Sequence, residues 1–312
     1  MIARVVRSGV VEATHDGAVA AVDTAGRLVA SSGDIERRFF ARSAVKPFQA
    51  YNSLLFGGEM APERVAVVAA SHGGDPVHVA YVAGILAEVG LDESALRCPP
   101  AWPSSPAAAR RVAAAPEPRR IWHNCSGKHA AMLRACSVQG WPLESYVDPE
   151  HPLQQANYTL IAEVTGEDPG PVGIDGCGVP VFQVSTLGLA RGFARFAAEP
   201  RLRDIWWAMH RFPMLASGVD EADAGIARTI DAAAKRGAEG LLGVAVRNRM
   251  GLAVKVFDGA GRAAGVGMTA ALDQLGMLTR AAGAQLRAIA RPVVLGGGVP
   301  VGRIESTLEL DR

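Results

Sequence analysis

The sequence predicts an α+β protein whose sheet is assembled from the two ends of the chain around a mainly helical middle. Short strand-like runs occupy residues 2–12 and 18–31, two more occupy 241–247 and 252–257, and most of the stretch between carries apolar residues at helical spacing. No Gly/Ser tract, internal repeat or low-complexity tail interrupts the chain, so residues 1–312 read as one folded unit.

Residues 18–31 form a hairpin, because Val19-Ala20-Ala21-Val22 runs into Asp23-Thr24-Ala25-Gly26 and continues as Arg27-Leu28-Val29-Ala30. Residues 44–56 read as a helix with apolar Val45, Phe48, Leu54 and Leu55, Pro47 in its first turn and Gly57-Gly58 at its end. Helices follow at 62–70 and 77–89, the second closed by Gly90. Residues 97–120, rich in Pro, Ala and Arg, form an irregular crossing segment. A helix is expected at about 127–138, then at 184–198, 201–211 and 221–236, with Trp206, Trp207 and Met209 in the core. The runs 241–247 and 252–257 are joined by Asn248-Arg249-Met250-Gly251, residues 266–290 read as helix, and Gly296-Gly297-Gly298 as a tight loop.

Composition excludes several classes. The 312 residues are 49% hydrophobic and 20% charged with a net charge of +1, which offers no electrostatic footprint for nucleic acid or an anionic membrane surface. The N-terminal residues lack the apolar core of a secretory signal and no run approaches a membrane span, so a cytoplasmic protein is expected. Four cysteines, Cys98, Cys125, Cys136 and Cys177, are too sparse for a disulfide scaffold; they are free, catalytic or metal-bound.

Lysine is scarce. It stands only at Lys46, Lys128, Lys235 and Lys255, the other 28 basic residues being arginine. Arginine does the generic work of surface charge here, and a retained lysine points to a position that needs a compact amine able to lose its proton. Lys46 lies three residues after Ser43 in Ala41-Arg42-Ser43-Ala44-Val45-Lys46-Pro47, so hydroxyl and amine share one face of a first helical turn. A serine becomes a nucleophile when a neighbouring base takes its proton, and lysine is such a base when burial keeps it neutral.

Other stretches carry chemistry. Ser71-His72-Gly73-Gly74 reads either as a loop whose backbone approaches a ligand or as a helix-capping loop ahead of Asp75-Pro76. His123-Asn124-Cys125-Ser126-Gly127-Lys128-His129 sits at a helix N-terminus, which favours a thiolate. Asp175-Gly176-Cys177-Gly178 ends a strand in a glycine-rich turn. Two thiolates with one or two N or O ligands suit zinc, yet the spacing of Cys125 and Cys177 matches no zinc-finger pattern, and by spacing alone they read as buried free cysteines. Cys136 reads as a core residue. Lys255, between Val254 and Val256, is an edge residue or, on an inner strand, an amine of depressed pKa facing a site.

Together these motifs resemble the rhizobial-type, or class 3, L-asparaginases, in order and approximate spacing over nearly the whole chain. The resemblance implies an antiparallel sheet flanked by helices, akin to serine β-lactamases and glutaminases, and a single catalytic unit that converts L-asparagine to L-aspartate and ammonia. It implies Ser43 as nucleophile with Lys46 as base, Ser71 and Lys255 as a second pair, and Arg42, Asp175, His72 and Gly73 around the substrate. It implies zinc on Cys125, Lys128 and Cys177 with water as fourth ligand, no organic cofactor, and a homodimer. The chain departs from the family at Cys98-Pro99-Pro100-Ala101, with Ala101 where a histidine is expected, and is short between 212 and 240. Two other readings compete: another Ser-x-x-Lys acyl-transfer enzyme, of glutaminase or penicillin-recognising type, and a zinc-stabilised binding domain without enzymatic activity.

Overall fold

Gly17–Asp23, Leu241–Val246 and Met250–Val256 are buried almost end to end, as strands are when both faces of their sheet are covered. In the computed structural model, which describes residues 1–218, 221–290 and 292–312, they are the inner strands of a five-stranded antiparallel sheet. Its order is Leu28–Ser32, Gly17–Asp23, Met250–Val256, Leu241–Val246, Ala232–Gly237. A second antiparallel sheet, ordered Val293–Gly296, Val299–Ser306, Ala3–Arg7, Val10–His15, again joins the two ends of the chain, with Ala3 opposite Ser306.

The two faces of the five-stranded sheet serve different cores. Ala20, Val22, Ala233, Leu241, Ala245 and Ala253 pack under the helical region, whereas Val19, Leu242, Val244, Leu252 and Val254 pack with the helix Gly261–Gln274 and with Val5 and Ile304 of the second sheet. On the first face, the helix Thr186–Ala198 lies directly on the strands. Gly243 and Gly251 permit this approach: a Cβ at Gly251 would stand 2.0 Å from Ala194 N, and one at Gly243 2.1 Å from the Phe193 ring. The helices Lys46–Gly57, Ser126–Gln139 and Pro152–Thr165 build the rest of that side.

The structure departs from the sequence pattern in places that matter. The helix expected over 221–236 ends as Ala222–Thr229, and Ala232–Gly237 is the edge strand. Ala232-Ala233-Ala234 has high intrinsic helix propensity, but pairing with Leu241–Val246 and burial against the core outweigh it. Residues 266–290 hold two helices, Gly261–Gln274 and Arg280–Ala290, with Gly276 in the left-handed region between them. The run 2–12 reverses at Ser8 and Gly9, both at positive φ. The helix Pro152–Thr165 and the strands Val293–Gly296 and Val299–Ser306 carried no clear signal; Gly297 and Gly298 form the tight loop between those strands. Among the described residues no helix is long and apolar enough to cross a membrane.

Candidate active site

A short ladder between Arg38–Phe40 and Gln183–Ser185, continued by a hydrogen bond from Ala41 N to Phe182 O at 2.9 Å, sets the serine segment beside residues 173–181. The 3-10 turn Arg42–Val45 follows and runs directly into the helix Lys46–Gly57, the Lys46 N–H donating to Ser43 O across the junction. This turn sits on the edge strand: a Cβ at Gly237 would come within 3.2 Å of Ala41 O and Ala44 N. Ser43 is half-buried and Lys46 fully buried.

Full burial decides where the Lys46 amine goes. A desolvated amine needs acceptors, and Lys46 Nζ donates to Ala70 O at 2.5 Å and to Ser71 Oγ at 3.1 Å, with no hydrogen bond to Ser43 among the described residues. Ser71 Oγ also accepts from Lys235 Nζ at 2.9 Å, and Lys235 donates to Arg236 O at 2.9 Å. One hydroxyl therefore bridges two buried amines. Burial pushes the Lys46 pKa down, and burial with the neighbouring Lys46 charge holds Lys235 well below the usual lysine range.

The expected partnership of Ser71 with Lys255 is replaced by Ser71 with Lys235. Both lysines lie on the same face of the sheet, but Lys235 is on the edge strand beside the serine turn, whereas Lys255 is on the inner strand Met250–Val256, paired with Ala18 and Leu241. Its amine donates to Glu239 O and Val256 O and lies over the Phe39 ring. Its pKa is lowered by burial, as an inner-strand amine requires, without reaching Ser71.

Two residues expected near a ligand have structural partners instead. His72 is fully buried and stacked on His78; its Nδ1 accepts from Gly74 N and its Nε2 lies 3.1 Å from Ser126 Oγ. Gly73 packs on Ser105, where a Cβ would lie 2.8 Å from Ser105 Cβ, and its carbonyl accepts from Ser105 N. They brace the loop that presents Ser71.

Arg42 holds φ +47, a left-handed value rare for a non-glycine residue, and its Nε donates to Asp175 Oδ1 at 2.5 Å. Asp175 is also fixed by the Gly176 N–H. Burial alone would raise the Asp175 carboxyl, but Lys128 and Arg42 hold it below the usual carboxylate value.

The third group is sulfur and nitrogen. Cys125 precedes the helix Ser126–Gln139, Lys128 lies in its first turn, and Lys128 Nζ donates to Cys177 Sγ at 3.2 Å. Contact with Cys177, then the charges of Lys46 and Lys128, pull the Cys125 thiol well below its usual pKa; Lys128 is raised despite its burial by the facing sulfurs of Cys177 and Cys125. His129, buried behind them, bonds Tyr146 Oη through Nδ1 at 2.6 Å and leaves Nε2 without a partner. Among the described residues no group of three His, Cys, Asp or Glu side chains is arranged to hold a metal. The set here is two thiols and an amine, all buried, with Lys128 bonded to Cys177, and its donor chemistry fits a borderline-soft cation. Cys98 and Cys136 are ordinary buried thiols, each pushed up to about 12 by burial.

A family model described as L-asparaginase II matches residues 3–306. The chain belongs to this family. Among solved structures, this L-asparaginase II family member is similar to Mglu in its native form, at 16% identity and a TM-score of 0.47, over 84% of this chain and 64% of that one. It is also similar to a Bacillus glutaminase, at 10% identity and a TM-score of 0.46, over 84% and 91% of the two chains. The chain thus spans just under two thirds of the Mglu chain. No curated protein matches it. The fold is the α+β arrangement of antiparallel sheet and helices expected of the family. Sequence reasoning missed the place of Lys235 beside Ser71; the scarcity of lysine was the signal that pointed to it.

Proposed function

We propose that the protein hydrolyses the side-chain amide of L-asparagine to L-aspartate and ammonia, with Ser43 as the nucleophile. The observation that carries this reading is the Lys46–Ser71–Lys235 chain of buried amines and hydroxyl at the base of the serine turn. Neutral Lys46 takes the Ser43 proton as Ser43 Oγ attacks the amide carbon. The leaving nitrogen takes the proton of Ser71, which is restored from protonated Lys46, and ammonia departs to leave an ester on Ser43. Water, giving its proton to Lys46, then attacks the ester; the C–O bond to Ser43 breaks, Ser43 recovers its proton and aspartate is released. Lys235 donates to Ser71 Oγ and steadies it, while burial disfavours the charged form of Lys46. Arg42 supplies a positive charge for the substrate's α-carboxylate, and Asp175 holds Arg42 in place.

Cys125, Lys128 and Cys177 are the residues that would hold zinc. As ligands, Lys128 would have to be a neutral amine and both cysteines thiolates, so binding would release the Lys128 proton and any remaining thiol proton. When bound, zinc supplies a fixed positive charge that ties the segments at 125–128 and 175–177 together and orients the substrate.

The test is ammonia release from L-asparagine, L-glutamine and a β-aspartyl amide, side by side, in wild type and Ser43→Ala. Asparagine is expected to be the best substrate, and Ser43→Ala to lose about three orders of magnitude or more in kcat. Near-normal release by Ser43→Ala would overturn the nucleophile. Elemental analysis of protein purified without added metal is expected to find about one zinc per chain, lost in Cys177→Ala; a metal-free, active wild type would overturn the zinc assignment.

A further inference from the structure

Lys255 takes no part in the chemistry above, yet a lysine on a fully covered strand is costly and this chain retains just four. Its amine is spent on one turn. Ala232–Gly237 and Leu241–Val246 pair with Gly237 opposite Leu241, leaving residues 238–240 as the connection. Glu239 at φ +62 and Gly240 at φ +70 are successive left-handed residues. Left-handed backbone at a non-glycine residue persists where the surroundings hold it. Here Lys255 Nζ donates to Glu239 O, Val256 N donates to Gly240 O at 2.9 Å, and Phe39 covers the lysine.

The turn so held points a carboxylate at the site. Glu239 Oε1 lies 3.9 Å from Arg42 Nη1, and Arg42 is already engaged through Nε by Asp175. Two carboxylates thus face one guanidinium. At its other end the turn touches the serine segment, Gly237 lying against Ala41 and Ala44 on either side of Ser43. Glu239 is 65% exposed, and among the described residues its ion pair is this one with Arg42. The excess of carboxylate around Arg42, the residue before Ser43, matches the ammonium of an α-amino acid, and Arg42 matches its carboxylate.

We propose that Glu239 recognises the substrate's α-ammonium and that Lys255 is the positioning residue that holds Glu239 in place. This rests on the reading of the substrate as an amino-acid amide. The Lys255 amine fixes the carbonyl of the turn; the turn fixes the direction of the Glu239 side chain.

Calorimetric binding of L-aspartate and of succinate, the same diacid without the ammonium, separates this from general damage. Glu239→Gln is expected to weaken aspartate about tenfold, about 1.4 kcal/mol, and to leave succinate nearly unchanged. Lys255→Met is expected to weaken aspartate in the same way, and the double variant to be no weaker than Lys255→Met alone. Unchanged aspartate binding in Glu239→Gln, parallel weakening of succinate, additive losses in the double variant, or binding of neither acid to wild type would each overturn the proposal. Glu239 is exposed, so Glu239→Gln decides the matter even if Lys255→Met does not fold. Turnover separates the two readings: ligand binding as expected without ammonia release from any amide would refute the amidohydrolase substrate, whereas normal turnover with an unchanged KM in Glu239→Gln would refute the recognition role.

Discussion

Replacing Lys235 with methionine removes an amine from the site while leaving most of its volume. Two hydrogen bonds disappear, to Ser71 Oγ and Arg236 O, each with a net worth of about 0.5–1.5 kcal/mol. Against this, the desolvation of a fully buried amine and its repulsion with Lys46 also disappear. The balance is a stability change of about 1–2 kcal/mol, a shift of a few degrees in Tm for a chain of this size. The effect on rate is of another order. Ser71, which Lys235 steadies, is the acid of the proposed mechanism; a positioned acid contributes about 10²–10⁴-fold, so kcat for ammonia release from asparagine is expected to fall by up to that factor, or about 3–5 kcal/mol of barrier. Lys255→Met, on the same face of the same sheet, is the comparison: its kcat is expected to stay within about threefold of wild type while KM rises. Coupled-enzyme ammonia assays and thermal melts on the three proteins measure both quantities. Retention of near-normal kcat by Lys235→Met, or an equal loss of kcat in Lys255→Met, would refute the assignment.

Two further outcomes follow from the same geometry. Asp223 is fully buried and bonded to Ser217, to Arg236 N and to the Arg236 guanidinium. Burial would raise its carboxyl, but Arg236, Lys235 and these hydrogen bonds hold it below the ordinary 3.8. A depressed carboxylate stabilises the fold above its unfolded pKa and ceases to do so as pH falls through the folded value. Asp223→Asn is therefore expected to cost about 3–5 kcal/mol at pH 7, with the gap to wild type narrowing only below about pH 4; urea titrations across pH measure it, and a gap that closes by pH 6 contradicts the reading. Gly251→Ala puts a methyl group into the backbone of the helix Thr186–Ala198, and a loss of at least about 2–3 kcal/mol in melts is expected, more than for Gly243→Ala, whose obstacle is the Phe193 side chain. Equal, small losses would mean that the helix can move off the sheet.

Much of the site was legible one residue type at a time. Ser43, Ser71, Cys125, Lys128, Asp175 and Cys177 stand in compact motifs at turns or helix starts, where local backbone geometry aims the side chains, and Ser71 meets Lys46 while Cys177 meets Lys128 and Asp175. The lysine on the sheet was not legible. Lys255 lay in an alternating apolar run and read as a strand, whereas Lys235 followed three alanines and read as helix. Nothing local in Ala232-Ala233-Ala234-Lys235 says strand; the pairing with Leu241–Val246 does. The scarcity of lysine marked Lys235 as much as the other three, and it was the more dependable signal because it does not depend on secondary structure.

By itself the sequence determined the strand-rich ends, the helical middle, the serine turn, the sulfur set and the family. Those features rest on residue types and on contacts within a few positions of one another. Which lysine reaches Ser71, and whether His72 faces a ligand or the core, was decided by tertiary structure alone. Both depend on register across a sheet and on packing between segments far apart in the chain. A two-residue step along a strand keeps a side chain on the same face but carries it about 7 Å, further than a hydrogen bond can span. The face of Lys255 was inherent in the alternation of its strand, while the row that Lys235 occupies existed only once the five strands had paired.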